Sequence, residues 1–357
     1  ARSVRIYRHD CLVGTSGLDW VNDSTPYELW SMTKSVLAML VGVAITQGHL
    51  SLDDTVGQHL PEATGQHAEI TLRQLLTQTY GLTFAWANTI AALEGDSVAH
   101  VLRLPFLHEP GTFFEYAQNP LQLVGVMVER ATGSDLQDFA QQELFDPLGI
   151  PRSRGEWLRD GAGHTLGFAG LQMASVDLAR LGSLLLHGGE WRGQRIISEE
   201  YVRQMGSSSP TNPGYGFLTW TNQGETYISA SALARRQIHH RWIPAAPPDL
   251  MGLSGLFDQE LWVIPSLDMV VVRTGNVAPM GWKHDFLRRL LQGLEDVPFT
   301  DPGPAPLEKT KQDWRFQITL RGASAAELAN AIRQGLAAAR LPAGVSIALD
   351  VDALNSL

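Results

Sequence analysis

Cysteine is nearly absent: Cys11 is alone in 357 residues. One thiol excludes an internal disulfide and any multi-thiolate metal site. Lysine is scarce as well, with only Lys34, Lys283, Lys309 and Lys311 among 27 basic residues. Basic clusters are missing and the formal net charge is −10, which argues against nucleic acid and anionic membrane as partners. No apolar run reaches membrane-spanning length; Ser35 to Thr46 is too short and gives way to Gln47-Gly48-His49. No leader-type segment is visible, and the first residue is Ala1 rather than methionine. The reading therefore leaves open a cytoplasmic chain or a periplasmic or secreted one without its leader.

Several chemistries are missing too. There is no Gly-x-Ser-x-Gly nucleophile elbow and no Gly-rich phosphate loop after a strand. His239-His240 lacks a third ligand at useful spacing, and adjacent side chains splay apart, so a metal site is not expected.

What is present is a large apolar fraction, 44%, with 34 glycines and 19 prolines, the profile of a loop-rich globular protein with ample core. Its focus is Leu29-Trp30-Ser31-Met32-Thr33-Lys34-Ser35. Behind it, Val36 to Ile45 is apolar nearly all round, which predicts a helix through a core. Three residues apart on a helix, Ser31 and Lys34 share a face, so an amine can reach the hydroxyl. The residue type matters, because a desolvated lysine can become a base and an arginine cannot. A helix-capping serine with an incidental lysine is the structural alternative.

Along the chain, Ser3 to Val13 reads as a strand ended by a turn at Gly14-Thr15-Ser16-Gly17. From Glu69 to Met205 the pattern is helical, with apolar stripes at Leu72–Leu76, Leu121–Ala131 and Ala174–His187, and with Ser198 opening a short last helix. The period then alternates: Tyr215–Thr221, Leu261–Ile264 and Met269–Arg273 read as strands. A helix from Trp282 to Leu294 follows. The expected fold is α/β (α+β): an antiparallel sheet flanked by helices and interrupted by a mostly helical insertion. In domain terms, residues 1–297 form the main unit, with its α/β layer at 1–24 and 206–297 and its helical region at 25–205. A Pro-rich linker at 298–312 leads to a small β-α-β appendage at 313–357. That appendage is too small to bury both apolar faces alone, so it is expected to dock on the main unit or make a homo-oligomer.

A Ser/Lys pair needs a second proton-handling group and backbone donors for an oxyanion. Tyr116, in Glu115-Tyr116-Ala117-Gln118-Asn119-Pro120 just before a helix, is the candidate for the first. Met251-Gly252-Leu253-Ser254-Gly255-Leu256 is the candidate for the second, read as a glycine turn before a strand where backbone approaches a ligand closely.

These three segments, in this order, resemble the serine β-lactamase and penicillin-binding-protein superfamily. The match is to its class C-like branch, with family VIII carboxylesterases, D-aminopeptidases and 6-aminohexanoate-oligomer hydrolases. The resemblance spans Ser3 to Leu294. Gln47–Asp54 with Leu60-Pro61-Glu62, and Gly170-Leu171 through Leu186-His187-Gly188-Gly189, carry it further. It implies Ser31 as acylated nucleophile, Lys34 as its activating amine and Tyr116 as proton shuttle. The backbone N–H groups of Ser31 and Leu256 would hold the oxyanion, and Gln118, Leu253, Ser254 and Gly255 would line the substrate. No metal or organic cofactor is implied.

Two positions depart from the branch. Gln118 stands where it has Asn, and Leu253 where a lysine or histidine usually helps bind a carboxylate. An apolar side chain cannot, so the expected substrate is a small ester or amide without that charge rather than a penicillin or cephalosporin. The same departures support a second reading, a catalytically weak member used for binding or assembly. Specificity is expected from the segments Phe84–Phe114 and Thr226–Leu250.

Overall fold

The computed structural model describes residues 1–17, 24–84, 86–230 and 235–295. Ser3–Arg8 (β1) and Cys11–Gly17 (β2) pair as an antiparallel hairpin. Its turn is His9-Asp10, both at positive φ (51° and 58°), the turn geometry that matches strand twist. The single strand expected from Ser3 to Val13 is therefore two strands, and Gly14–Gly17 belongs to the second. Asp visits the left-handed region readily, so the turn forms without glycine.

The sheet continues far downstream with Trp220–Thr221 (β3), Met251–Gly255 (β4), Gln259–Ile264 (β5) and Met269–Thr274 (β6). Its order is β2-β1-β6-β5-β4-β3, antiparallel throughout. The strand expected from Tyr215 shrinks to β3. Leu218 takes φ 48° and the chain doubles back, so that Tyr215 bridges Trp220. Gly252–Gly255, expected as a turn, lies inside β4. The two glycines permit close approach rather than a bend: a Cβ at Gly252 would stand 2.2 Å from the Trp242 ring, and one at Gly255 2.1 Å from Leu29 O.

Between the hairpin and β3 the described chain is mainly helical, as the periodicities predict. Met32–Thr46 (α1) is buried from Met32 to Ala44, each large apolar side chain contributing about 1.5–3 kcal/mol by leaving water. Leu121–Thr132 (α2) packs against it, and Ser175–Leu186 (α3) lies on the sheet. Leu261, Val263, Val270 and Val272 point into this main core, while Trp262, Ile264, Met269 and Val271 point to the opposite face, the alternation of two covered sheet faces. Trp282–Glu295 (α4) covers that second face, with Trp282 stacked on Trp262 at 5.5 Å. The result is a mixed α/β fold, an antiparallel sheet with helices on both sides. The Pro-rich joint and the β-α-β unit expected after it lie outside the described residues. No described helix is long and apolar enough to cross a membrane.

Candidate active site

Ser31 occupies the N-cap position of α1 but has helical backbone angles, and its hydroxyl makes no capping bond. The capping alternative is thereby removed. Lys34, one turn on, is fully buried, and its Nζ lies 2.8 Å from Ser31 Oγ and 3.3 Å from the carbonyl of Phe168, to which it donates. Among the described residues no carboxylate pairs with it. Burial alone holds this amine well below its ordinary pKa, because the interior penalises the ammonium form.

Tyr116 comes from the loop that leads into α2. Gln78 anchors that loop: the Ala117 N–H donates to Gln78 Oε1 (2.7 Å), the Glu115 N–H to the Gln78 carbonyl (3.0 Å), and Gln78 Nε2 to the Tyr215 hydroxyl (2.9 Å). The Tyr116 ring stacks on Trp220 (5.8 Å, 27°) and meets Tyr215 edge-on. Trp220 stacks in turn on Trp242 (5.7 Å, 18°). The Lys34 amine sits 4.9 Å from the Tyr116 ring centre. Burial pushes the phenol up to about 12, against an opposing hydrogen bond with Ser31 and with the Glu260 charge adding to the rise. Gln118 is buried beside this loop, and its carbonyl accepts the Leu121 N–H that starts α2.

The third segment reaches the nucleophile through Gly255, which lets β4 run against the Leu29 carbonyl. Leu256 opens a 3₁₀ turn, Leu256–Asp258. Its N–H stands at the entry to that turn and the Ser31 N–H at the N-cap of α1, two places where backbone donors have no intrahelical acceptor. Leu253 points into the main core. Ser254 points to the α4 face, where its hydroxyl donates to Glu260 Oε1 (2.7 Å). Lys283, from α4, donates to Ser254 Oγ (3.1 Å) and pairs with the same Glu260 oxygen at 2.5 Å, while Trp262 Nε1 donates to Glu260 Oε2 at 2.9 Å. Burial pushes the Glu260 carboxyl up, and the Lys283 charge opposes it. Lys283 also lies 5.0 Å over the Trp242 ring, so the aromatic wall that begins at Tyr116 ends on a cation.

The sequence points to Ser31, Lys34, Tyr116, Gly255 and Leu256, and the fold brings these segments together; of the other residues expected to line the substrate, Gln118 is buried beside the Tyr116 loop, Leu253 faces the main core and Ser254 is turned to Glu260. The sequence does not point to Gln78, the Phe168 carbonyl, the Trp220–Trp242 wall or the Glu260–Lys283 pair. One signal was available: Glu260 stands directly before the apolar run Leu261–Ile264, where an unpaired acid is costly. The segments around Phe114 and after Thr226 also meet, with Arg235 Nε donating to the Phe114 carbonyl at 3.2 Å. Away from these residues Asp96, Asp160 and His164 gather within 4.8 Å. Asp160 is already taken there by N–H or O–H donors of Ser97, Ala162 and His164.

The chain is 29% identical over 177 residues to a monacolin J acid methylbutanoyltransferase of Aspergillus terreus, covering 42% of this chain and 41% of that protein. It thus spans about two fifths of the length of the curated relatives it matches first. Among solved structures, a β-lactamase/D-alanine carboxypeptidase from Pseudomonas syringae superposes with a TM-score of 0.63 at 18% identity, over 81% of this chain and 92% of that one. A class C β-lactamase in complex with cefoxitin superposes at 0.61 and 16% identity, over 82% and 92%. The profile of the Beta-lactamase family matches residues 3–294. By that match, which takes in the hairpin, the Ser31 helix and β4, the chain belongs to the Beta-lactamase family.

Proposed function

We propose that the protein is a serine hydrolase that cleaves a small ester or amide through an acyl-enzyme on Ser31. The observation that carries this reading is the buried Lys34 amine, 2.8 Å from the Ser31 hydroxyl and held well below its ordinary pKa by burial. As Oγ attacks the substrate carbonyl carbon, the amine takes the hydroxyl proton. The oxyanion accepts hydrogen bonds from the N–H groups of Ser31 and Leu256. Tyr116, a neutral phenol at working pH, gives its proton to the leaving group and is reprotonated from Lys34. Water then attacks the acyl ester with its proton passing back along the same groups, releasing the acid and free Ser31.

The substrate side is supported by the Glu260–Lys283 pair. The cation beside Ser254 is matched by a buried carboxylate, so it offers little net charge to a substrate carboxylate, and a neutral ester or amide fits. Relatives named as methylbutanoyltransferases pass an acyl group on, and an added alcohol would compete with water for the same intermediate.

The test is intact-protein mass spectrometry after a fluorophosphonate probe, together with p-nitrophenyl ester turnover. The expected result is one adduct on Ser31 and loss of both signals in Ser31→Ala. Parental turnover in a folded Ser31→Ala protein would overturn the assignment. A folded parent that takes no adduct would favour the binding reading instead.

A further inference from the structure

The segments of the site are laid out along β4. At its Gly252 end Trp242 covers the strand, and Trp220 and Tyr116 continue from it as a stacked wall. At its other end Gly255 passes against Leu29, and Leu256 begins the 3₁₀ turn. Roughly 10 Å of extended chain separates the two ends, and Ser31 follows Leu29 and Trp30 at the second. A leaving group that takes its proton from Tyr116 points to the wall. The acyl group therefore points the other way, toward Leu256 and its surroundings.

Those surroundings are apolar and uncovered. Trp30 is 36% exposed, Phe257 40% and Leu256 55%. The Trp30 and Phe257 rings meet edge to face, with centroids 5.3 Å apart. Both residues hold left-handed backbone, φ 52° and 62°, a conformation that is costly for bulky side chains and recurs at ligand clamps. The Phe257 turn is also braced from behind. Arg273 donates to the carbonyls of Phe257 and Asp258, and the Ala278 N–H donates to Asp258 Oδ2 at 2.7 Å. One strained, exposed aromatic residue, Trp30, thus directly precedes the nucleophile, and the other, Phe257, directly follows Leu256 on a turn that is held in place.

We infer that Trp30, Leu256 and Phe257 form a lip that holds an apolar acyl chain, making the substrate an ester or amide of an acid longer than acetate. This rests on the acyl-enzyme reading. Chain length then sets reactivity, since each methylene laid on the lip leaves water.

The test is kcat/KM for p-nitrophenyl acetate, butyrate, hexanoate and octanoate. In the parent it should rise about two- to fourfold per methylene over the part of the chain the lip covers. Phe257→Asn and Trp30→Asn remove the rings while keeping left-handed backbone accessible. Each should lower the octanoate-to-acetate ratio by about tenfold, in proteins whose circular dichroism matches the parent. A flat parental series, or an unchanged ratio in both folded variants, would overturn the lip while Ser31-dependent turnover left the hydrolase reading standing. If no ester in the series gave Ser31-dependent turnover, both would fall.

Discussion

Lys283 on α4 and Glu260 on β5 form an ion pair of 2.5 Å whose carboxylate is wholly buried and whose amine is a quarter exposed. Ser254 hydrogen-bonds to both. The pair joins α4 to β5, on the face of the sheet opposite the one from which Leu253 enters the main core.

Removing one partner strands the other. Lys283→Met should destabilise the fold by about 3 kcal/mol, because a buried carboxylate is left without its counter-charge. The Lys283→Met/Glu260→Gln double variant should recover most of that loss. Urea unfolding of the parent and the variants checks it. A single variant as stable as the parent would show that the pair carries no structural load.

Lys34 should not tolerate arginine. Lys34→Arg puts a permanent cation at the same place and removes the only form that can take a proton. Ester turnover should fall by at least about 10³-fold in both Lys34→Arg and Lys34→Met. Lys34→Met should unfold no earlier than the parent, since a buried amine is replaced by an apolar side chain of similar length. Steady-state kinetics with a thermal melt on each variant separates the two effects.

The pH dependence follows from the same amine and the phenol beside it. Activity needs Lys34 neutral, so kcat/KM should rise with pH through the lowered Lys34 pKa and then level off. Tyr116, pushed up to about 12, should impose no falling limb at ordinary alkaline pH. Stability has matching signs. Between the lowered folded pKa of Lys34 and its ordinary 10.5, the unfolded chain binds the extra proton, so stability rises with pH there. Between 10 and about 12 the folded state keeps the Tyr116 proton that the unfolded chain has lost, so stability falls. Denaturant melts of the parent against Lys34→Met should show the first slope only in the parent.

Tyr116→Phe should discriminate between leaving groups. Loss of a positioned proton donor costs about 10²–10⁴-fold when the leaving group is a poor one such as an alkoxide or amine. A nitrophenolate departs without help, so its ester should lose far less. Equal losses on a methyl ester and a p-nitrophenyl ester of one acid would remove Tyr116 from the proton path.

Gly255→Ala should lower turnover sharply, because its Cβ would stand 2.1 Å from the Leu29 carbonyl and push β4 away from the Ser31 segment. A shift of about 1 Å at a reacting centre can cost about 10²-fold. Turnover and melting temperature, measured together, show whether the site moved or the fold failed.

Much of this was readable in the sequence, for reasons that differ by residue. Ser31 and Lys34 lie within one helical turn, so their meeting is a local property, and Tyr116 is marked by the helix that follows it. Glu260 and Lys283 meet only because a helix packs on a sheet, a long-range event that no spacing encodes. The glycines of β4 signal close approach in the sequence, but their place inside a strand was hidden, since a glycine that admits a neighbouring carbonyl and one that permits a turn look identical in a chain. The His9-Asp10 hairpin was hidden because its turn uses no glycine at all. The exposed setting of Trp30 and Phe257 likewise depends on φ values that composition does not reveal.

The hairpin has a consequence for handling the protein. β1 is what separates β6 from solvent, pairing with it from Ser3–Thr274 to Arg8–Met269. Cleavage that frees residues 1–17 would leave Met269-Val270-Val271-Val272 as an open, unpaired and largely aliphatic edge. Such an edge is a template for strands of another chain, so a clipped preparation would be lost to β-aggregation before any of the chemistry around Ser31 was touched.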